Sequence, residues 1–157
     1  MTAAPVYDIS VNRVVPSTPE AAYAVVADVA SIGTRSPETL SAAWLGEERG
    51  VGARFRGRNR AGWVRWSTVA TVTDDQPGRI FAFKTDAPSS TTWTYTFAPV
   101  DGGTEVTESM RKEKHQILPI RVLQRLAGIA DRHEHLRAGM AATLERLAVE
   151  VAVTAPR

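Results

Sequence analysis

The chain has 157 residues, enough for one domain with its own core, and 43% of them are hydrophobic and 23% charged. Its formal net charge of +2 does not favour nucleic-acid or membrane binding, and the absence of cysteine excludes disulfides, thiolate metal ligands and a cysteine nucleophile. No apolar run approaches the ~20 residues of a membrane span and residues 1–5 do not resemble a signal peptide, so we expect a cytoplasmic protein formed by one domain over residues 1–157.

The beginning of the chain predicts a strand followed by a helix. Residues 6–15 alternate apolar and polar side chains, which is typical of a strand. Thr18, Pro19 and Glu20 then supply an N-cap, a proline at the first helical position and an acid in the first turn. We therefore predict a helix that begins at Pro19 and continues over residues 21–29.

From residue 41 onward the sequence predicts antiparallel strands. Short runs of alternating apolar and polar residues end at glycine, proline or aspartate, as expected for strands joined by turns. A less regular segment over residues 31–40 precedes them. The predicted strands span residues 43–48, 53–60, 63–73, 79–85, 91–99 and a last run that follows a turn at residues 102–103.

A turn at residues 61–62 predicts a hairpin with one lining face and one cationic face. In this register Gly57 lies opposite Trp66. The lining face holds Phe55, Gly57, Asn59, Val64, Trp66, Thr68, Ala70 and Val72. The other face holds Arg54, Arg56, Arg58, Arg60, Trp63, Arg65 and Ser67.

The arginine row suggests a rival function in nucleic-acid binding. Alternate arginines on a strand form a cationic stripe, and Trp63 would stack on a base or on Arg60. Such a row is more commonly a solvated outer face, and the small net charge favours that interpretation. We expect no nucleic-acid partner and leave the role of the stripe open.

A type I′ turn at residues 102–103 predicts a second hairpin. Counting back from this turn pairs Phe97 with Glu108 and Tyr95 with Met110. Glu108 then shares a face with aromatic side chains, which is an unusual place for a carboxylate.

Residues 118–151 carry an apolar stripe that predicts a long amphipathic helix, because the gaps of three or four residues place the stripe on one face. One continuous helix would be about 50 Å long. We therefore expect a break at Gly128 and predict helices over residues 118–127 and 129–151. The stripe consists of Leu118, Val122, Leu126, Ile129, His133, Leu136, Met140, Leu144, Leu147 and Val151. The opposite face, which includes His135, Ala138, Ala142 and Arg146, suits solvent.

Together these elements predict an α+β domain. A curved antiparallel sheet of six or seven strands would wrap around the long C-terminal helix, with one or two short helices after the first strand. Because a twisted sheet and a straight helix do not match along their whole lengths, we expect a cavity between them. A ligand site of ordinary size would occupy about 300–1,000 Å³.

Six short segments, spread almost from one end of the chain to the other, carry a family resemblance. They are Pro19-Glu20 with Tyr23 and Asp28, Trp44-Leu45-Gly46, Val51-Gly52-Ala53-Arg54-Phe55, Pro77-Gly78-Arg79-Ile80-Phe81-Ala82-Phe83, Gly102-Gly103-Thr104-Glu105-Val106-Thr107-Glu108, and Gly139-Met140 with Leu144-Glu145-Arg146-Leu147. In this order they resemble the SRPBCC superfamily, also called START-like or helix-grip, and within it the polyketide cyclase/dehydrase and lipid-transport branch. The resemblance implies a hydrophobic pocket between the sheet and the C-terminal helix. Members of this superfamily bind lipids, sterols, polyketides or hormones, and some catalyse cyclisation or dehydration.

One segment departs from the family pattern. Many relatives carry a segment like Trp-Pro-x-Trp-Ser-Pro after the first helix, whereas this chain has Ile32-Gly33-Thr34-Arg35-Ser36-Pro37. Arg35 stands where an aromatic residue is common, so the shape of a ligand at that end does not carry over from the family.

Two polar residues interrupt apolar surfaces and are the candidate catalytic groups. His133 lies in the helix stripe and should face the sheet, where it would meet Glu108 across the cavity. Burial would raise the pKa of Glu108 and suit it to general acid–base catalysis. The alternatives are a histidine satisfied by a nearby hydroxyl or carbonyl, and a strand-end carboxylate that pairs with an arginine or reaches solvent at the rim. The residues predicted to contact a ligand are Phe55, Asn59, Trp66, Thr68, Phe83, Trp93, Tyr95, Met110, His133 and Met140.

The first functional hypothesis is a carrier or sensor that binds a small hydrophobic molecule, such as a lipid or polyketide, in this cavity. The second is a cofactor-independent cyclase or dehydratase that uses Glu108 and His133, and the third is a module that forms a homodimer through the helix stripe. We expect no cofactor and no stable membrane insertion. No metal site is expected, because His133 and His135 lie about 200° apart around a helix and cannot chelate one ion.

Overall fold

A computed structural model describes residues 7–87, 89–112 and 132–154. Seven antiparallel strands form one sheet in the order β1-β7-β6-β5-β4-β3-β2. The predicted helix-grip α+β architecture is confirmed. The strands are β1 (Tyr7–Val15), β2 (Thr39–Trp44), β3 (Arg54–Ala61), β4 (Val64–Gln76), β5 (Ile80–Thr85), β6 (Thr91–Val100) and β7 (Gly103–Lys112).

The helix after the first strand begins where its capping residues predict. Helix α1 spans Pro19–Ala27, and the Thr18 hydroxyl accepts a hydrogen bond from the backbone N–H of Ala21 at 3.2 Å. A 3-10 helix (Val29–Thr34) follows directly. Tyr23 of α1 donates a hydrogen bond to Asp75 in β4, which attaches the helix to the sheet.

The strand that follows this 3-10 helix begins earlier than predicted. Strand β2 spans Thr39–Trp44 rather than residues 43–48. It pairs with β3 through Ala42 opposite Gly57 and Trp44 opposite Phe55. Backbone pairing with β3, and not the local apolar pattern, therefore sets the limits of this edge strand.

The hairpin β3–β4 is displaced from its predicted register by two residues. Gly62 and Trp63 form the turn, so Gly57 lies opposite Thr68 instead of Trp66. Gly62 has a φ of 59°, the conformation that the first residue of a type II′ turn requires. Because the displacement is an even number, every side chain keeps the face that was predicted for it.

The hairpin β6–β7 shows the same displacement. Its turn consists of Asp101 and Gly102, so the predicted type I′ turn at residues 102–103 is wrong. Tyr95 now lies opposite Glu108, and Phe97 lies opposite Val106. The expected placement of Glu108 on the aromatic face is nevertheless confirmed.

Helix α2 (Arg132–Thr154) packs most closely against β1 and also contacts α1 and β7. The second half of the predicted stripe is buried. The first predicted helix, over residues 118–127, and the break at Gly128 lie outside the described residues. The buried members of the stripe are Leu136, Met140, Leu144, Leu147 and Val151.

The buried side chains form two hydrophobic clusters. The larger one joins α1, the sheet and the C-terminal half of α2 through residues such as Phe81, Phe97 and Leu147. The smaller one consists of Ile9, Met110, Leu136 and Met140. The two clusters hold α2 along the β1–β7 side of the sheet, and this position determines where space is left.

We predict that Gly103→Ala destabilises the fold by about 3 kcal/mol. Gly103 has a φ of 146°, and a Cβ atom there would lie 2.0 Å from the carbonyl oxygen of Val15 in β1. Urea unfolding would measure the change in the free energy of unfolding. The control is Gly46→Ala, whose Cβ would meet nothing within 4 Å. Equal stabilities of the two variants would contradict the prediction.

Candidate functional site

A cavity of about 980 Å³ lies between the sheet and α2. Its wall is formed by β3 to β7, by the segment that joins the 3-10 helix to β2, and by one side of α2. The predicted lining residues that the structure brings together there are Phe55, Asn59, Trp66, Thr68, Phe83, Trp93, Tyr95, Met110 and Met140, and Glu108 joins them.

The apolar part of the wall is built from large side chains of alternate strand positions. Phe55 and Phe83 meet edge to face with their ring centroids 5.0 Å apart. Trp93 packs against the cluster that contains Met110 and Met140. Aromatic and thioether side chains present broad, polarisable surfaces that suit an apolar ligand.

A polar cluster lies on the β3–β4 side of the wall. The Thr39 hydroxyl donates to Oδ1 of Asn59 at 2.9 Å, and Nδ2 of Asn59 donates to Oγ1 of Thr68 at 3.2 Å. These bonds hold the Asn59 amide in one orientation. The cluster is therefore a fixed polar patch on this side of the cavity wall.

Glu108 is the most unusual group of the cavity. The residue is only 3% exposed, and its Oε1 accepts a hydrogen bond from the Tyr95 hydroxyl at 2.8 Å. Its Oε2 is buried and has no hydrogen-bond partner among the described residues. A buried polar atom without a protein partner is rare and is typical of a catalytic group or of a contact with water, an ion or a ligand.

Burial raises the pKa of Glu108 from 4.5 to about 8, although the hydrogen bond from Tyr95 and the charge of Arg35 act in the opposite direction. Burial, together with the charge of Glu108 and the hydrogen bond to it, also raises the pKa of Tyr95 well above its ordinary value. Near neutral pH the Glu108 carboxyl is therefore largely protonated and can donate a hydrogen bond as well as accept one.

The expected pairing of Glu108 with His133 is wrong in this structure. His133 is exposed and is not among the residues that line the cavity, so it does not face the sheet as predicted. Instead, the hydroxyl of Tyr95 on the neighbouring strand donates a hydrogen bond to Glu108. His135 and Ala138, assigned to the solvent face of the helix, border the cavity instead. Leu136 and Met140 of the same turns are nevertheless buried as predicted, so the cavity extends past one side of the buried stripe.

Arg35, which the sequence placed at one end of the ligand site, lines the cavity, but its burial was not predicted. It is 3% exposed, and its Nη1 donates to the two carboxylate oxygens of Glu150 in α2 at 2.9 and 3.2 Å. The guanidinium also donates to the Ser31 hydroxyl and the Val25 carbonyl. No local pattern predicts this burial, because Glu150 lies 115 residues away in the chain.

Lys112 is a second buried cation at the wall that the sequence did not single out. Its Nζ donates a hydrogen bond to the Ser89 carbonyl at 2.6 Å. The alternation of β7 places it on the same face as Glu108 and Met110. The alternation of the strand predicts that Lys112 lies on this face. It does not predict the burial of Lys112, because lysine side chains are rarely buried.

The row Arg54, Arg56, Arg58 and Arg60 is exposed on the outer face of β3, as predicted. Arg54 forms an exposed ion pair with Asp86 at 2.7 Å. Within the described ranges, three or more metal-binding side chains do not come together. Nor does any helix in that part of the chain have the length and apolar character needed to cross a membrane.

Residues 7–152 match the model of the family described as polyketide cyclase/dehydrase and lipid transport. A search of curated proteins finds no significant match.

Solved structures with this fold come from several sources. The di-domain ARO/CYC StfQ from the steffimycin biosynthetic pathway has a TM-score of 0.73 and 16% identity, over 94% of this chain and 51% of that chain. A Thermus thermophilus protein has a TM-score of 0.68 and 18% identity, over 96% of this chain and 100% of the other. A Chromobacterium violaceum protein has a TM-score of 0.68 and 17% identity, over 92% of this chain and 96% of the other. At these identities the similarity establishes the fold alone.

We predict that the free energy of unfolding falls as the pH rises from about 4.5 to about 8. Folding raises the pKa of Glu108 to about 8, so in this window the folded protein binds more protons than the unfolded chain. The slope contributed by Glu108 should reach about 1.4 kcal/mol per pH unit. Urea unfolding at several pH values would measure it.

Glu108→Gln should flatten this pH dependence, because the amide does not titrate. The matched control is Glu105→Gln on the outward face of the same strand, which should keep the wild-type slope. Parallel pH profiles for wild type and Glu108→Gln would contradict the prediction.

Proposed function

Because the chain belongs to the polyketide cyclase/dehydrase and lipid transport family, we propose that it binds a small, largely apolar molecule between the sheet and α2, as a carrier or sensor. The observation that carries this proposal is the cavity of about 980 Å³ with a buried carboxyl in its wall. Sites for small molecules commonly have this size and combine apolar walls with a few polar groups.

The wall supports a ligand with an apolar body and a polar group. Trp93, Met110 and Met140 offer an apolar contact surface. Glu108, held by Tyr95, offers a hydrogen-bonding group whose Oε2 is not used by the described residues. A ligand hydroxyl or carbonyl at this point would satisfy an atom whose burial is otherwise unfavourable.

A cyclase or dehydratase is the second candidate function, and Glu108 is the observation that favours it. A carboxyl with a pKa of about 8 can both donate and accept a proton near neutral pH, as a general acid–base catalyst requires. In such an acid–base mechanism the hydrogen bond from Tyr95, and not a contact with His133, orients the Glu108 carboxyl. No cofactor is needed for such proton transfers.

Thr68→Trp should weaken binding of the neutral apolar dye N-phenyl-1-naphthylamine at least ~10-fold, because the indole would fill space that the ligand occupies. Thr68 lines the cavity. Fluorescence titration would measure the dissociation constant.

The control is Thr73→Trp, the same substitution at an exposed position of the same strand. It should leave the dissociation constant unchanged. Equal affinities of both variants, or no binding by the wild type, would contradict a ligand-binding cavity.

Glu108→Gln separates the two candidate functions. A carrier should keep its affinity for a bound lipid or polyketide within about fivefold, because the amide still forms hydrogen bonds. An acid–base catalyst should lose turnover by about 100-fold or more, because the amide cannot transfer the proton. Binding and product formation would be measured on the same panel of compounds, and unchanged turnover would exclude Glu108 as the catalytic group.

A further inference from the structure

The outer face of the β3–β4 hairpin carries cations that the described residues do not neutralise. Arg56, Arg58, Arg60 and Arg65 are all exposed. In residues 7–87, 89–112 and 132–154, no carboxylate forms an ion pair with any of these four, whereas Arg54 is paired with Asp86. We call these four arginines, together with Trp63, the cationic hairpin face.

The arrangement of these arginines is unfavourable for the isolated protein. Arg60 and Arg65 lie directly opposite each other across the two strands. Like charges at directly opposed positions destabilise a hairpin. Along β3, alternate residues are about 7 Å apart, so Arg56, Arg58 and Arg60 form a row about 13 Å long. A row of this kind is neutralised best by an extended anionic surface.

Trp63 lies in the turn of the same hairpin and is 65% exposed. The positive φ of Gly62 forms this turn and thereby presents the indole at the tip. An indole combines an apolar body with one N–H donor, and tryptophan is accordingly enriched where lipid headgroups meet acyl chains.

The tip of the hairpin also lies at the cavity. Arg60, Gly62, Val64 and Arg65 belong to its wall, so the outer end of the cavity is bordered by the same turn that carries Trp63. A surface that holds this tip would therefore hold the cavity next to it.

We propose that the cationic hairpin face docks reversibly on the anionic surface of a phospholipid bilayer, with the arginines on lipid phosphates and Trp63 at the level of the headgroups. A bilayer fits better than a nucleic acid or an acidic protein. Only a bilayer would contact the row of arginines and the exposed indole and also lie next to the opening of an apolar cavity. The docked protein would exchange an apolar ligand with the membrane without inserting a segment across it.

Docking of this kind is expected to be weak and sensitive to salt. Each basic residue near an anionic bilayer strengthens binding about fivefold, equivalent to about 1 kcal/mol, and the attraction falls off within a Debye length of about 8–10 Å. One indole and four arginines without a lipid anchor give transient contact and not permanent attachment.

Co-sedimentation of the full chain with vesicles tests the proposal. Vesicles of equal parts phosphatidylcholine and phosphatidylglycerol should bind the protein, and vesicles of phosphatidylcholine alone should not. The triple variant Arg58→Gln, Arg60→Gln and Arg65→Gln should lose about 100-fold in affinity for the anionic vesicles. Raising the salt concentration should release the wild type.

The matched control removes the same charge elsewhere. Arg13, Arg79 and Arg137 are exposed outside the cationic hairpin face, and their replacement by glutamine should change the affinity by about threefold at most. Tryptophan emission should shift to the blue on anionic vesicles for the wild type and lose that shift in Trp63→Phe.

Vesicle binding can be tested separately from ligand binding. Thr68→Trp, which fills the cavity, should bind vesicles as the wild type does. Absence of binding to anionic vesicles would overturn the proposal, as would equal losses in the two triple variants. Tighter binding to RNA or to polyglutamate than to anionic vesicles, at the same salt concentration, would also overturn it and assign the face to that partner.

Discussion

The position of α2 along the β1–β7 side of the sheet is the constraint on which the rest of the structure depends. Leu144, Leu147 and Val151 anchor the helix in the main core. The far strands do not follow it, and the register irregularity between Val72 and Asp74 bends β4. A rigid helix that is fixed at one side of a bent sheet cannot fill the space below the other side. The cavity is the direct result.

The same helix also determines the electrostatics of the cavity. Glu150 of α2 holds Arg35 against the cavity wall, and the charge of Arg35 lowers the pKa of Glu108. Burial of Glu108 has the larger effect and keeps that pKa near 8. An arginine that is ion-paired with Glu150 and a largely neutral Glu108 therefore share the cavity wall. An ionised Glu108 would be costly here, so stability and chemical function of this residue are directly linked.

The β3–β4 hairpin has two separate surfaces because strand side chains alternate. The inward residues, such as Asn59 and Thr68, form a polar patch of the cavity wall. The outward residues form the arginine row. The turn at Gly62 connects both surfaces at the end of the cavity. Ligand binding inside and recognition of an anionic surface outside can therefore be combined in one short segment, in which only Arg60 and Arg65 near the turn belong to both surfaces.

Periodicity alone determined the architecture, the faces of the strands and the buried half of α2. An error of one residue in the position of each hairpin turn shifted the strand pairing by two residues and left the faces intact, since the strand period is two. Glu108 was therefore placed correctly on the aromatic face, while its partner Tyr95 emerged only from the true register. The burial of Arg35 and the exposure of His133 were decided by tertiary packing. A helical pattern gives the relative angles of side chains, but contacts between residues distant in the chain decide which turns of the helix are covered and supply the partners of buried charges.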